Sequence, residues 1–421
     1  MSQRLVLFAK SILTLDRPQP IEEGFVLIQD SRILQVGRRK DFHSHHPARV
    51  LNLGETLLLP GLINAHCHLD FTSFKGRVRY EGGFRQWLRK MAVKTRATSP
   101  AEFKRSIQKG IRESLAYGTT TLCDISTSWE SYTLLRASGL RAFLFLELID
   151  LGMASAKVYW DQFHERLRAL IRSAPSTPTF RWGLSPHTPF TVSKDLMHIV
   201  RRFTDGHRDL LTTIHVAESR EEAQFFRTGK GTIADRIKVL NPDWTLPRRT
   251  TPVQYLNGCG WLPKLDLGIH LNEVGDRDLK LLAKNRITVV HCPGSHAFFE
   301  RPPFRYQRMR RHHIPVCLGT DSLASNRSLS MFREMRLFQK NHPEVGAGEI
   351  LSMATVRPAQ ALGLGGQLGQ IRPGFLADLI GVPFRKNAKA KDPYQKVIDH
   401  AGPVSFSMVH GEPKLRVSGG K

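Results

Sequence analysis

His66 and His68 flank Cys67 at the end of a short apolar run, Leu62-Ile63-Asn64-Ala65. Pro60-Gly61 opens that run with a turn, and Leu57 to Leu59 precede it. Side chains of a strand alternate between its faces, so both imidazoles point one way and the thiol the other. Two imidazoles at a strand end make half of a metal site. An isolated His-x-His among 18 histidines reads as readily as a pair of loop residues. The rest of the chain shifts that balance. His187 (SPHTPF), His215 and Glu218 (HVAES), His270 (LGIHL), His291 and Ser295 (HCPGSH) and Asp321 (LGTDS) all follow apolar runs. Three imidazoles with one carboxylate suit a borderline divalent ion, Zn2+ or Fe2+, with one position left for water. Glu218, three residues beyond His215, could turn into the same pocket as a proton shuttle.

The elements that must position these groups have two textures. Residues 1–60 alternate in short runs (RLVLFAKSILTL, GFVLIQDSRILQVG) broken at Pro, Gly and Asp-Ser turns, which predicts β-strands. From residue 61 onward, apolar runs ending near 65, 125, 148, 185, 216, 271, 292 and 319 are separated by stretches of helical period, such as 101–117. Repeated β–α alternation argues for a parallel sheet, and eight units argue for a (β/α)8 TIM barrel. Six of the eight strand ends carry His or Asp, and in a barrel those ends ring one pocket. After 370 the texture is β-like again (GQIRPGFLADLIGVPF, VSFSMVHGEPKLRV). We therefore expect an α/β chain with two parts. Residues 61–375 form the barrel, and residues 1–60 with 376–421 form a small β-sandwich domain built from both termini. Residues 384–397 read as a charged surface loop.

The bulk numbers restrict the options. The 421 residues, 41% hydrophobic, suffice for one large domain with an appendage. No run of eighteen apolar residues exists, so no membrane partner is expected. The stretch MSQRLVLFAKSILTLD, broken by Lys10 and Asp16 and without a small-residue cleavage site, reads as strands, not as a secretion signal, and the five cysteines (67, 123, 259, 292, 317) lack CxxC spacing. Buried reduced thiols of a cytoplasmic protein are expected. The formal charge of +25 invites a nucleic-acid partner. The basic residues are dispersed, however, and the densest clusters, such as Arg305 to Arg311, lack the interleaved aromatic or Gly-rich pattern of an RNA-binding module. A small-molecule substrate is preferred over nucleic acid, and a homodimer stays an open option.

The motifs PGLINAHCHLDF, GLSPHTPFTVS, HVAES, HCPGSH, LGTDSLASN and ATVRPAQALGL…GQIRPGFLADL resemble the amidohydrolase superfamily. The branch they resemble is that of aminopurine deaminases and chlorohydrolases. HLDFTSFKGR with GGFRQWL, TPVQYLNGCGWL and LGTDSLASNRSLSMFREMR look most like aminofutalosine deaminases of menaquinone synthesis. The resemblance covers residues 5 to 410. It implies one metal ion, Zn2+ ahead of Fe2+, held by His66, His68, His215 and Asp321. It implies Glu218, His270 and Asp321 as catalytic groups and His187 as a substrate contact. The fourth strand, FRWGLSPHTP, lacks the Lys or Glu that two-metal members carry, so one ion is expected. HCPGSHAFF departs from the Arg-Ser-Asn that many relatives carry after the Pro.

Plainer readings stand beside these. His291 is read as a core histidine and Glu147 as a structural carboxylate. Ser295 is a substrate contact or a helix cap. Phe84 and Trp87, in the long loop after the first strand, are lid and substrate-binding candidates. The expected activity is hydrolytic deamination of an adenine-type nucleoside, an aminofutalosine-like one by preference. The alternatives are a chlorohydrolase, a guanine- or cytosine-type deaminase, and a basic nucleic-acid-binding protein on a degenerate barrel.

Overall fold

The structure is a computed structural model and describes residues 4–43, 47–151, 155–207, 209–241, 247–383 and 392–416. Its centre is a ring of parallel strands: β1 (Leu62–His68), β2 (Thr119–Ser126), β3 (Arg141–Leu148), β4 (Phe180–Pro186), β5 (Leu211–Val216), β6 (Leu267–His270), β7 (Thr288–His291) and β8 (Val316–Leu318). Each pairs with its neighbours in chain order, all parallel. The ring closes because the chain beyond β8 turns onto β1. Asp321 and Ser322 pair with Cys67 and His68, and Thr320 N–H donates to His66 O at 2.9 Å. Strands buried on both faces carry near-continuous apolar runs, as in TTTLCDIS and RAFLFLEL, because helices cover their outer side. Gly319 is required at the closure: a Cβ there would stand 2.9 Å from His66 Cβ and O.

Ile63, Ala65, Cys123, Ile125, Phe143, Phe145, Leu267, Ile269, Val290 and Cys317 belong to one cluster, which draws on six strands and so fills the barrel. Cys67 lies in the other large cluster, with the covering helices. Ala65 and Cys67 would share a face in a regular strand. The register slips between Asn64 and Cys67, and this irregularity turns His66 and His68 toward the barrel axis above Ala65.

Strands from both ends of the chain join in one sheet. Its order is 412–416, 406–409, 379–383, 56–60, 4–12, 21–29 and 32–38, with 49–52 on the side of 4–12. Leu59 pairs with Ile380, antiparallel, and the strand Thr56–Pro60 runs straight into β1. Residues 384–391 lie outside the described residues. Beyond them Pro393–Asp399 is a helix rather than the loop expected, with Asp392 accepting from Tyr394 N–H at its start and Val397 and Ile398 buried. Its short length and its lysine hid it in the sequence.

A buried ion pair ties the two parts together. Arg141, at the start of β3, donates through Nε to Asp378 Oδ2 at 2.9 Å and through Nη2 to Oδ1 at 3.0 Å. Asp378 Oδ1 also accepts from His410 N–H, and its carbonyl accepts from Gly61 N–H. Removing one partner strands a charge in a site that is 2–3% exposed. Asp378→Ala is expected to cost about 3–5 kcal/mol, read as a lowered denaturation midpoint. A loss below about 1 kcal/mol would contradict it.

Candidate metal centre and active site

His66, His68, His215, His270 and Asp321 come from β1, β5, β6 and the turn after β8, and all are buried. His68 Nε2 and His215 Nε2 face each other at 3.2 Å. His68 Nδ1 lies 3.1 Å from Ile125 O and His215 Nδ1 lies 3.0 Å from His187 O. A carbonyl oxygen only accepts, so each Nδ1 carries the proton and each Nε2 offers a lone pair. Two lone pairs at that distance repel unless a cation stands between or beside them. Both ring nitrogens of His66 are buried without a partner, and its Nε2 is 3.6 Å from Asp321 Oδ1. His68 Nε2 is 3.8 Å from the same oxygen. These orphaned and opposed donor atoms fit a divalent ion.

The electrostatics agree. Burial, and next the neighbouring His66, lower the His68 pKa to about 4. Burial holds His215 and His270 well below the usual range. These rings are therefore neutral at pH 7. Burial would raise Asp321, but the adjacent imidazoles, His66 first, outweigh that and keep it ionised. Its other oxygen accepts from Ser295 Oγ at 2.6 Å and Ser325 Oγ at 3.0 Å. Ser295 thus orients a carboxylate here, a part the sequence reading did not assign to it.

Glu218 stands beside the cluster, with Oε1 3.9 Å from His270 Nε2 and 3.0 Å from Arg301 Nη2. Burial raises its pKa to about 7, against the opposing pull of Arg301. The backbone N–H groups of Ala217 and Glu218 both donate to the Glu222 carboxylate, which fixes the turn after β5. Ala217, His270, Leu271 and Asp321 have positive φ (51°, 72°, 50° and 58°). None is glycine, so each costs roughly 1–3 kcal/mol. Such strain gathers at sites where the surroundings force the conformation.

Arg301 is a residue the sequence reading missed. It sits over the rings of Phe84 (5.0 Å) and Phe299 (4.9 Å) while holding Glu218. Trp87 packs edge-on to Phe299. Phe84 and Trp87 thus come to the wall around Glu218 through Arg301 and Phe299. The available signal was a cation inside an aromatic run, FFER, in the loop after β7. His187 lies next to His215, ring centroids 5.4 Å apart. His291 stays apart from the cluster, stacked on Phe304 at 4.0 Å. A cavity of about 530 Å3 with Arg227, Arg249, Arg277 and Arg305 on its wall contains none of the clustered histidines. The candidate site is the cluster, because perturbed titratable groups converge there.

A (β/α)8 barrel with imidazoles and a carboxylate gathered at its strand ends defines a class of metal-site hydrolases. The chain belongs to the amidohydrolase family, whose sequence profile matches residues 57–414. It is 30% identical over 402 residues to the 5-methylthioadenosine/S-adenosylhomocysteine deaminase of Syntrophobacter fumaroxidans, covering 91% of this chain and 85% of that one. Two crystal structures share the fold. An adenosine deaminase from Xanthomonas campestris with bound zinc has a TM-score of 0.84 and 24% identity, over 98% of this chain and 93% of that one. The aminofutalosine deaminase of Helicobacter pylori, in complex with methylthio-coformycin, has a TM-score of 0.83 and 23% identity, over 97% and 99%. Among the described residues no helix is long and apolar enough to cross a membrane.

Proposed function

We propose that this chain is a metal-dependent hydrolase that deaminates the adenine ring of a nucleoside, exchanging the amino group for oxygen and releasing ammonia. The observation that carries the reading is the pair of opposed Nε2 lone pairs of His68 and His215, beside an unpartnered His66 and an ionised Asp321. His66, His68, His215 and Asp321 would hold one ion, Zn2+ by preference. When bound, such an ion supplies an activated water at neutral pH.

The chain's own residues do the rest. Glu218 protonates the ring nitrogen next to the attacked carbon, which removes the aromatic resistance to attack. Asp321 takes the proton of the attacking water and passes it to the departing amine. His270 hydrogen-bonds the incoming oxygen. His187 contacts the substrate, and Phe84, Trp87 and Phe299 exclude water around Glu218. Ser295 acts on Asp321, not on the substrate. We further propose the division into residues 61–375 and a β-domain of 1–60 with 376–421, and a cytoplasmic location.

The names of the similar proteins support nucleosides altered at the 5′ position. Ammonia release from 5-methylthioadenosine, S-adenosylhomocysteine, 5′-deoxyadenosine, adenosine and aminofutalosine tests the reading. At least one should be turned over with kcat/KM above ~10⁴ M⁻¹s⁻¹. Preference for aminofutalosine would point to menaquinone synthesis. No ammonia from any of them, with chloride released from a chlorotriazine, would replace the reading with that of a chlorohydrolase.

A further inference from the structure

Glu147 is the last residue but one of β3, with its side chain buried. Its Oε2 accepts from Thr127 Oγ1 at 2.6 Å, and no hydrogen bond from the described residues reaches Oε1. One carboxylate oxygen of Glu147, one ring nitrogen of His187 and one of His215 lie within 4.8 Å of one another. Three such groups suggest a second metal site. Lone-pair counting removes it. His215 Nδ1 carries a proton toward His187 O, so Nε2 is that ring's single lone pair, and it already faces His68 Nε2. One lone pair binds one ion. Glu147 and His187 alone are fewer protein ligands than the three or four that hold such an ion.

The position of Glu147 gives it other work. Glu218 leans toward the β6–β7 side, where Arg301 holds it and His270 lies 3.9 Å away. In a ring of eight strands, β3 lies opposite β7. An adenine ring with N1 at Glu218 has C4 on the far side, and C4 bonds N9, which carries the sugar. The sugar therefore emerges toward β2 and β3, where Thr127 and Glu147 stand. A carboxylate only accepts hydrogen bonds, and sugar hydroxyls donate them.

We propose that Glu147, held by Thr127, accepts from the ribose 2′- and 3′-hydroxyls and selects ribonucleosides over deoxyribonucleosides. This rests on the deaminase reading above. A site that leaves a charged acceptor unmatched discriminates against the analogue lacking the donor.

The test compares 5-methylthioadenosine with its 2′-deoxy and 3′-deoxy analogues in wild-type protein, Glu147→Ala and the nearly isosteric Glu147→Gln. Wild type should prefer the ribonucleoside by about tenfold to a hundredfold in kcat/KM. Both variants should lose most of that preference, chiefly through KM for the ribonucleoside, and keep one metal ion per chain. An undiminished preference in the folded Gln variant overturns the proposal, as does a wild type without preference. Loss of the metal overturns it too, because Glu147 would then be a ligand. Absence of ammonia from every nucleoside in wild type would instead overturn the reading beneath it.

Discussion

Glu218→Gln is expected to keep its metal and lose kcat by at least ~10²-fold. Attack of water on an aromatic ring is uphill unless the ring nitrogen gains a proton as the bond forms. Glu218 can deliver it, because burial brings its pKa to about 7 and its carboxylate is held beside His270 and Arg301. Proton transfer by a positioned group is worth roughly 10²–10⁴ in rate. The amide is nearly isosteric, so Arg301 keeps an oxygen to donate to and the fold persists. KM should stay within roughly tenfold, since the interaction belongs to the transition state. Elemental analysis and steady-state kinetics check both halves. A variant that loses its metal makes Glu218 a ligand. One with near-normal turnover moves the proton delivery to another group, His270 first.

His66→Ala is expected to lose metal and activity together. Wild type should contain about one divalent ion per chain after growth in metal-replete medium. His66 has no other partner for either nitrogen, and it stands within 5.0 Å, ring to ring, of both His68 and His215. Its removal leaves two imidazoles and a carboxylate around a hole. Activation of water contributes several kcal/mol of the barrier, so kcat/KM should fall by at least ~10³-fold. Two ions per wild-type chain, or a full metal complement in the variant, would contradict the assignment.

Much of this was legible in the residues. Buried parallel strands need apolar runs, and the eight runs fall within a few residues of the observed strands. The HLDF, HVAES and LGTDS motifs follow strands directly, so closure of the ring brought His66, His68, His215 and Asp321 together. What was hidden depends on geometry that residue types do not encode. The slip between Asn64 and Cys67 and the left-handed conformations of His270 and Asp321 aim side chains against simple alternation. Arg301 reaches Glu218 from 83 residues away, on a loop with no periodicity to mark it. Ser295 looked like a substrate contact or a cap because its type suits both, and only its 2.6 Å approach to Asp321 separates these from a supporting part.

The pairing of Leu59 with Ile380 bears on how the protein is made. The strand Thr56–Pro60 leaves the ribosome before the barrel strands and Leu379–Pro383 after all of them. Until the later strand emerges, one edge of the earlier one stays open, directly upstream of His66 and His68. Long-range pairing of this kind slows folding and leaves strand edges prone to aggregation. The end of β1 that carries His66 and His68 is therefore tied to a sheet that is completed only after every barrel strand has been made. Cutting synthesis short before residue 379 should yield chains that capture chaperones and bind no metal, even though His66, His68, His215 and Asp321 have all been translated.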